Sequence, residues 1–245
     1  SIYNQISNYN PNTRFDDMIN DPVTYVIITS PIFLNSLNNF IDWKTQKGFN
    51  VVIGNTAEIG SSTSAIKNFI EDLYDNPSDG MTAPSFVLFV GDVAQVPSYN
   101  GTTGSHVTDL YYVDMTGDMI QDIFHGRFSA NNPSELQTQI DRTIAYEKNP
   151  PNSDYFNNAI GIGSNQGPGF GGLSDDEFND LLWNDFLSNY TYDNYLGVYD
   201  PSGTEQQALD AINNGVGIIN YTGHAGPTGW GNGAALNVND VNNLE

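Results

Sequence analysis

The chain has 245 residues with 38% hydrophobic and 12% aromatic side chains, enough to bury a core as one large domain or two modest ones. Seven Lys and Arg against 29 Asp and Glu leave a formal charge of −22, which repels phosphate backbones and anionic lipid alike and argues against a nucleic-acid partner. There is no cysteine, hence no disulfide, thiolate metal site or thiol nucleophile within these residues, and no apolar run approaches the roughly 20 residues of a membrane span.

In chain order, Val23 to Thr29 is a β-branched run ended by Ser30-Pro31 and reads as a buried strand. Leu34, Leu37, Phe40 and Ile41 follow at helical spacing, stopped at Gly48. Val51-Val52-Ile53 is a short strand, and Ile66, Phe69, Ile70 and Leu73 mark a helix. Phe86 to Val90, apolar on both faces, predicts a central parallel strand. Alternating strands and helices assemble most naturally into an α/β doubly wound sheet.

Pro133 opens a helix with the stripe Leu136, Ile140 and Ile144, after which Asn149-Pro150-Pro151 breaks the chain. This divides the sequence into residues 1–150 and 151–245. Beyond the break come a strand at Ala159 to Gly163 and two helices opened by capping boxes, Ser174 with Glu177 and Thr204 with Gln207. Val216 to Tyr221 is a further buried strand, ending in the turn Thr222-Gly223-His224-Ala225-Gly226.

Ligands of open α/β sheets gather beyond the carboxyl ends of strands. Asp92, Asn165 and His224 each follow an apolar run, so that parallel, adjacent strands would bring all three to one edge. The glycines around His224 allow a tight turn with exposed amides, where an imidazole exchanges protons and an N–H holds an oxyanion; a turn histidine bonded to a carbonyl is the alternative. Around Gly117 the acids Asp114, Asp118 and Asp122, with the carbonyl of Ile120, offer the hard oxygen donors that Ca²⁺ selects; a solvated acidic turn is the alternative. His106 and His125 have no such setting and read as surface or structural, and Trp43 and Trp230 as packing.

Five segments in register, Asp42 to Phe49, Phe89 to Asp92, Val107 to Tyr112, Gly117-Asp118 with Gly126-Arg127-Phe128, and Asn220 to His224, resemble the gingipain family of cysteine peptidases. The resemblance implies a caspase-like α/β/α sandwich of two subdomains, the second incomplete, with secretion or a cell-surface location and calcium-stabilised structure. It implies that His224 is the general acid/base and that the amide of Ala225, where the family has Gly, belongs to the oxyanion hole. Asn165 stands where the family orients the histidine with an acid; an amide accepts the imidazole's hydrogen bond without adding charge. The family's calcium site maps onto Asp92, Asp118, the Ile120 carbonyl and Asp122, with Thr116 replacing one acid and Asp114 available to compensate.

The family's nucleophile is a cysteine on the strand after the histidine. The resemblance therefore implies a secreted endopeptidase acting on polypeptides, its cysteine carried by a companion fragment or a further segment docking on an exposed apolar edge. A sortase-like relative that cleaves carboxyl-terminal secretion signals, and a calcium-stabilised binding module that has lost the nucleophile, are the alternative readings.

Overall fold

A computed structural model of the chain describes residues 22–102, 106–150 and 154–244. Its contacts divide it into two compact units that meet in sequence at Pro150 and Pro151.

The first unit holds β1 (Thr24–Thr29), α1 (Asn38–Gln46), β2 (Asn50–Asn55), α2 (Thr63–Asp75), β3 (Pro84–Val90), β4 (Phe124–Phe128) and α3 (Pro133–Lys148). The strands lie in the order β2-β1-β3-β4, all parallel. Successive side chains of β1 and β3 face opposite sides, and both sides are buried, which is why these strands read as unbroken apolar runs. Val26, Ile28, Val87 and Phe89 pack with Ile66 and Ile70 of α2. Ile27, Leu88 and Val90 pack with Phe40 of α1 and Leu136 and Ile140 of α3. The unit is thus a three-layer α/β/α sandwich.

Two details depart from the sequence pattern. The stripe from Leu34 to Ile41 is not one helix: Pro31–Leu37 winds as a 3₁₀ segment before α1 begins at Asn38. Strand β4 escapes an apolar pattern because Phe-His-Gly-Arg-Phe places a guanidinium where a core residue would be expected. Arg127 is accommodated by bonding Asp109 twice, from Nε at 2.8 Å and Nη2 at 2.7 Å, and by donating from Nη1 to the carbonyls of Gly91 and Val96. Burial raises the pKa of Asp109, but the bonds from Arg127 and Ser98 outweigh it and hold the carboxyl below its ordinary range.

The second unit holds β5 (Asn158–Gly163), α4 (Asp175–Leu181), β6 (Asn194–Tyr199), α5 (Glu205–Asn214), β7 (Ile218–Thr222), a hairpin of β8 (Ala225–Gly226) and β9 (Gly229–Trp230), and α6 (Val238–Asn242). Its own sheet has the order β6-β5-β7, parallel throughout, with β7 at one edge. Both expected capping boxes are formed, at Ser174 and at Thr204. One face of the sheet is aliphatic, with Ile160, Ile162 and Val198 packed on Ala208 and Leu236.

The opposite face is built from glycine and tyrosine. Gly161 leaves the space that Tyr195 fills, since a Cβ there would collide with the Tyr195 hydroxyl. Trp183 stacks on Tyr195 at 4.9 Å, Tyr195 and Tyr199 join hydroxyls, and Tyr199 donates to Asp180 at 2.8 Å. Burial and these bonds push the Tyr199 phenol well above its ordinary range. Strand β6, glycine-interrupted and polar on this face, carries no apolar signature in the sequence.

Candidate active site

Strands β5 and β7 are hydrogen-bonded neighbours running in the same direction, so the residues beyond their carboxyl ends share one edge of the second sheet. Asn165 lies two residues past β5 and His224 two residues past β7. Asp92 follows β3, in the other unit's sheet, so the expectation of a single edge for all three is corrected to a pair on one sheet and Asp92 on another.

The His224 turn is fixed from several directions while its side chain stays exposed. Its backbone N–H donates to Asn232 Oδ1 at 2.9 Å, and Asn232 Nδ2 donates in turn to Asp200 at 3.3 Å. Its carbonyl accepts from the Gly231 N–H at 2.8 Å and from the Tyr221 hydroxyl, whose ring stacks on Trp230 at 4.4 Å. The loop after β9 passes close over the sheet edge: a Cβ on Gly233 would lie 2.8 Å from backbone atoms of Gly163 and Val198. Only a glycine, here at φ +64°, fits that passage.

The bond from Gly231 N–H to the His224 carbonyl also settles the register of the hairpin. It makes Ala225 and Trp230 a non-hydrogen-bonded antiparallel pair, so the Ala225 N–H points away from β9. That amide, adjacent to the imidazole, is unspent by the hairpin and faces outward.

The imidazole meets Gln166, not Asn165. His224 Nε2 lies 3.2 Å from Gln166 Oε1, whereas the exposed Asn165 has no hydrogen bond to the ring. Gln166 is held by its backbone: its N–H donates to Ser164 Oγ at 3.1 Å and its carbonyl accepts from Asp175 N–H at 2.9 Å. Ser164, fully buried, bonds Asp175 through its hydroxyl and β7 through its N–H, at 3.2 Å from the Thr222 carbonyl. Sequence placed the orienting group one residue early, because the turn after Gly163 is set by these tertiary contacts and not by strand alternation.

The edge strand β7 is partly uncovered. Ile219 is 38% exposed and, with Trp230, Val238 and Val241, lines an apolar groove of about 410 Å³ that begins at Ala225.

The acidic loop of the first unit is arranged differently from a metal cage. Asp114 accepts from the N–H groups of Gly117, Asp118 and Met119 with both oxygens. Asp122 Oδ2 accepts from Met115 and Thr116, which lowers its pKa. Asp118 accepts from the amide of Ile120, and Asp92, at the end of β3, from that of Val93. Lys67 contributes a positive charge, donating to the Asp114 carbonyl at 2.9 Å. Each of the four carboxylates thus accepts from nearby backbone amides, and no group of three His, Asp or Glu side chains among the described residues is disposed to hold a metal. Asp114 spends both oxygens on amides, whereas Asp92, Asp118 and Asp122 each spend one.

The other histidines belong to the first unit. His125 Nδ1 lies 2.9 Å from Gln121 Oε1, and burial lowers its pKa. Trp43 donates to Glu147 at 2.8 Å.

A family model described as peptidase family C25 matches residues 19–245. The chain belongs to peptidase family C25. Among curated relatives, gingipain R2 of Porphyromonas gingivalis is 32% identical over 211 residues, 84% of this chain and 28% of its own length. Lys-gingipain of the same organism is 30% identical over 240 residues, 94% of this chain and 13% of its own. Among solved structures, the Arg-specific cysteine proteinase gingipain R superposes with a TM-score of 0.72 at 30% identity, over 87% of this chain and 49% of that one. The complex of the pro- and mature domains of a Porphyromonas gingivalis relative gives 0.70, also at 30% identity, over 86% and 49%. This C25 chain therefore spans about half the length of its solved relatives and less than a third of the curated ones, and shares their α/β architecture of parallel sheets. No helix among its described residues is long and apolar enough to cross a membrane.

Proposed function

We propose that the chain supplies the histidine half of a cysteine endopeptidase centre. A thiolate attacks a peptide carbonyl, the carbon–sulfur bond forms, and negative charge gathers on the carbonyl oxygen, where the outward N–H of Ala225 stabilises it. His224 hands a proton to the leaving amine as the peptide bond breaks, and water later releases the acyl group. The observation that carries the reading is the pairing of an exposed imidazole with an unspent amide on consecutive residues beyond a parallel strand.

The thiol must come from polypeptide other than these residues, which contain no cysteine. The uncovered edge of β7 and the groove beside Ala225 support a companion segment seated there, as does membership of a family whose solved members are about twice as long. A polypeptide substrate and a secreted or cell-surface location belong to the same proposal. Calcium is a separate one, supported by the acidic spacing and not by the present direction of the carboxylates. A melting midpoint that falls in chelator and recovers with Ca²⁺ supports it, and one unmoved by both removes it.

The test is peptide cleavage by the natural polypeptide that includes this chain and its cysteine-bearing segment. Cleavage of a fluorogenic peptide library, abolished by thiol alkylation, is expected. Cleavage that survives alkylation overturns the thiol mechanism, and intact folding without cleavage hands the chain to the binding-module reading.

A further inference from the structure

We propose that the cleft between α1 and α3 of the first unit binds one neutral sugar ring, a hexopyranose recognised through its hydroxyls. The site lies in the unit that holds neither His224 nor Ala225, and the inference is independent of the peptidase reading.

Helical spacing builds the cleft. Asn39, Asp42 and Gln46 of α1 stand at positions i, i+3 and i+7, and Asp141, Ile144 and Lys148 of α3 repeat that spacing, so each helix turns one stripe to the cleft. Trp43 completes the lining. The enclosed space is about 280 Å³, just below the roughly 300–1,000 Å³ of pockets for drug-sized ligands, and suits a single ring. The indole is held in place: its N–H donates to Glu147 Oε2 at 2.8 Å, and the Lys148 ammonium lies 4.7 Å from its ring centroid. Trp43 and Ile144 thus form a fixed apolar floor for the C–H groups of a sugar.

Around that floor the polar groups are unspent. Among the described residues the side chains of Asn39, Asp42 and Gln46 have no hydrogen-bond partner, and Asp141 accepts only from Gln137, at Oδ1. Their chemistry selects the ligand, because a hydroxyl both donates and accepts. The carboxylates of Asp42 and Asp141 accept, the Lys148 ammonium donates, and the amides of Asn39 and Gln46 do both, a set that matches a ring bearing several hydroxyls.

Charge disfavours an ionic ligand. Around the cleft the carboxylates of Asp42, Asp141 and Glu147 meet the ammonium groups of Lys44, Lys47 and Lys148, a local balance within a chain of net charge −22. A wholly apolar ligand would strip water from the four planar polar side chains without replacing its hydrogen bonds. A neutral polyol meets both conditions.

The experiment uses neutral methyl glycosides of glucose, galactose and mannose, titrated into the full chain. The indole N–H signals of the three tryptophans are followed in ¹⁵N–¹H spectra, with Trp43→Phe identifying its own. At least one glycoside is expected to shift the Trp43 signal while those of Trp183 and Trp230 stay fixed, with a Kd on the order of 1 mM for so few contacts. Asp42→Ala and Gln46→Ala, at exposed positions, should leave the melting midpoint in place and each weaken that affinity about tenfold, as expected when one hydrogen bond is lost. The proposal is overturned by a Trp43 signal that no glycoside moves at tens of millimolar, or by affinity unchanged in both variants. It is overturned equally if a methyl glucuronide anion or free arginine moves the signal while the neutral glycosides do not.

Discussion

The first unit contains ion pairs, and the second, among the described residues, contains none. All four ion pairs among the described residues, Lys44–Glu147, Lys47–Glu147, Lys67–Glu71 and Arg127–Asp109, lie before Pro150. None of the seven Lys and Arg falls beyond Lys148, whereas 12 of the 29 Asp and Glu do. The second unit satisfies its polar atoms with helix caps, tyrosine hydroxyls and amides: Asn179 donates to the Asp175 carbonyl and accepts from Asn220, and Asn232 holds the His224 turn. In residues 151–245 the only side chain able to carry positive charge is His224. The difference teaches where each unit is vulnerable: the first to loss of a charge, the second to loss of a fit or a cap.

The largest effect is expected at the buried pair. Asp109→Ala strands the Arg127 guanidinium, each side chain being 14% exposed, and should cost about 3 kcal/mol or more by denaturant melt. A cost under about 1 kcal/mol would mean that the first unit does not depend on its charges. In the second unit the counterpart is a matter of fit. Gly233→Ala puts a Cβ against backbone at 2.8 Å in a left-handed conformation, and should cost about 2 kcal/mol, read as faster hydrogen exchange confined to residues after Pro151. Exchange that quickens equally in both units would blur the contrast.

A smaller loss is expected from Thr204→Ala, which removes the hydroxyl that caps α5 and should cost about 1 kcal/mol. Smallest is Glu147→Gln. Burial raises the Glu147 pKa, yet bonds from Lys44, Lys47 and Trp43 win and hold it at about 2, below its unfolded value. Its stabilisation is therefore present above the unfolded carboxyl pKa and is lost as pH falls toward 2. For a partly exposed group the gap between wild type and variant should be under about 1 kcal/mol near neutrality and close over that acid range. A gap that widened on acidification would contradict the ion-pair account.

The same contrast explains what the sequence discloses. Strands β1, β3 and β5 and the capped helices α4 and α5 follow from local pattern, because double-sided burial and capping chemistry are written in consecutive residues. Strand β4 hides because Arg127 is buried through a partner 18 residues away, and β6 because its glycine and tyrosines serve the polar face. His224 and Ala225 are legible from the glycine-flanked turn and the family resemblance. Gln166 and Asn232 are not, since each reaches the turn through a loop whose course depends on contacts distant in the chain. The acidic loop matches a calcium spacing while its carboxylates face the backbone, a direction that spacing cannot specify.

The central claim is that His224 is the proton-transfer group of a thiol peptidase. Its most direct measurement is kcat/KM for peptide cleavage by the cysteine-containing natural polypeptide, wild type against His224→Ala. A fall of about 10²- to 10⁴-fold with an unchanged melting midpoint is the result expected of a lost general acid/base; turnover within a few fold of wild type would contradict the account.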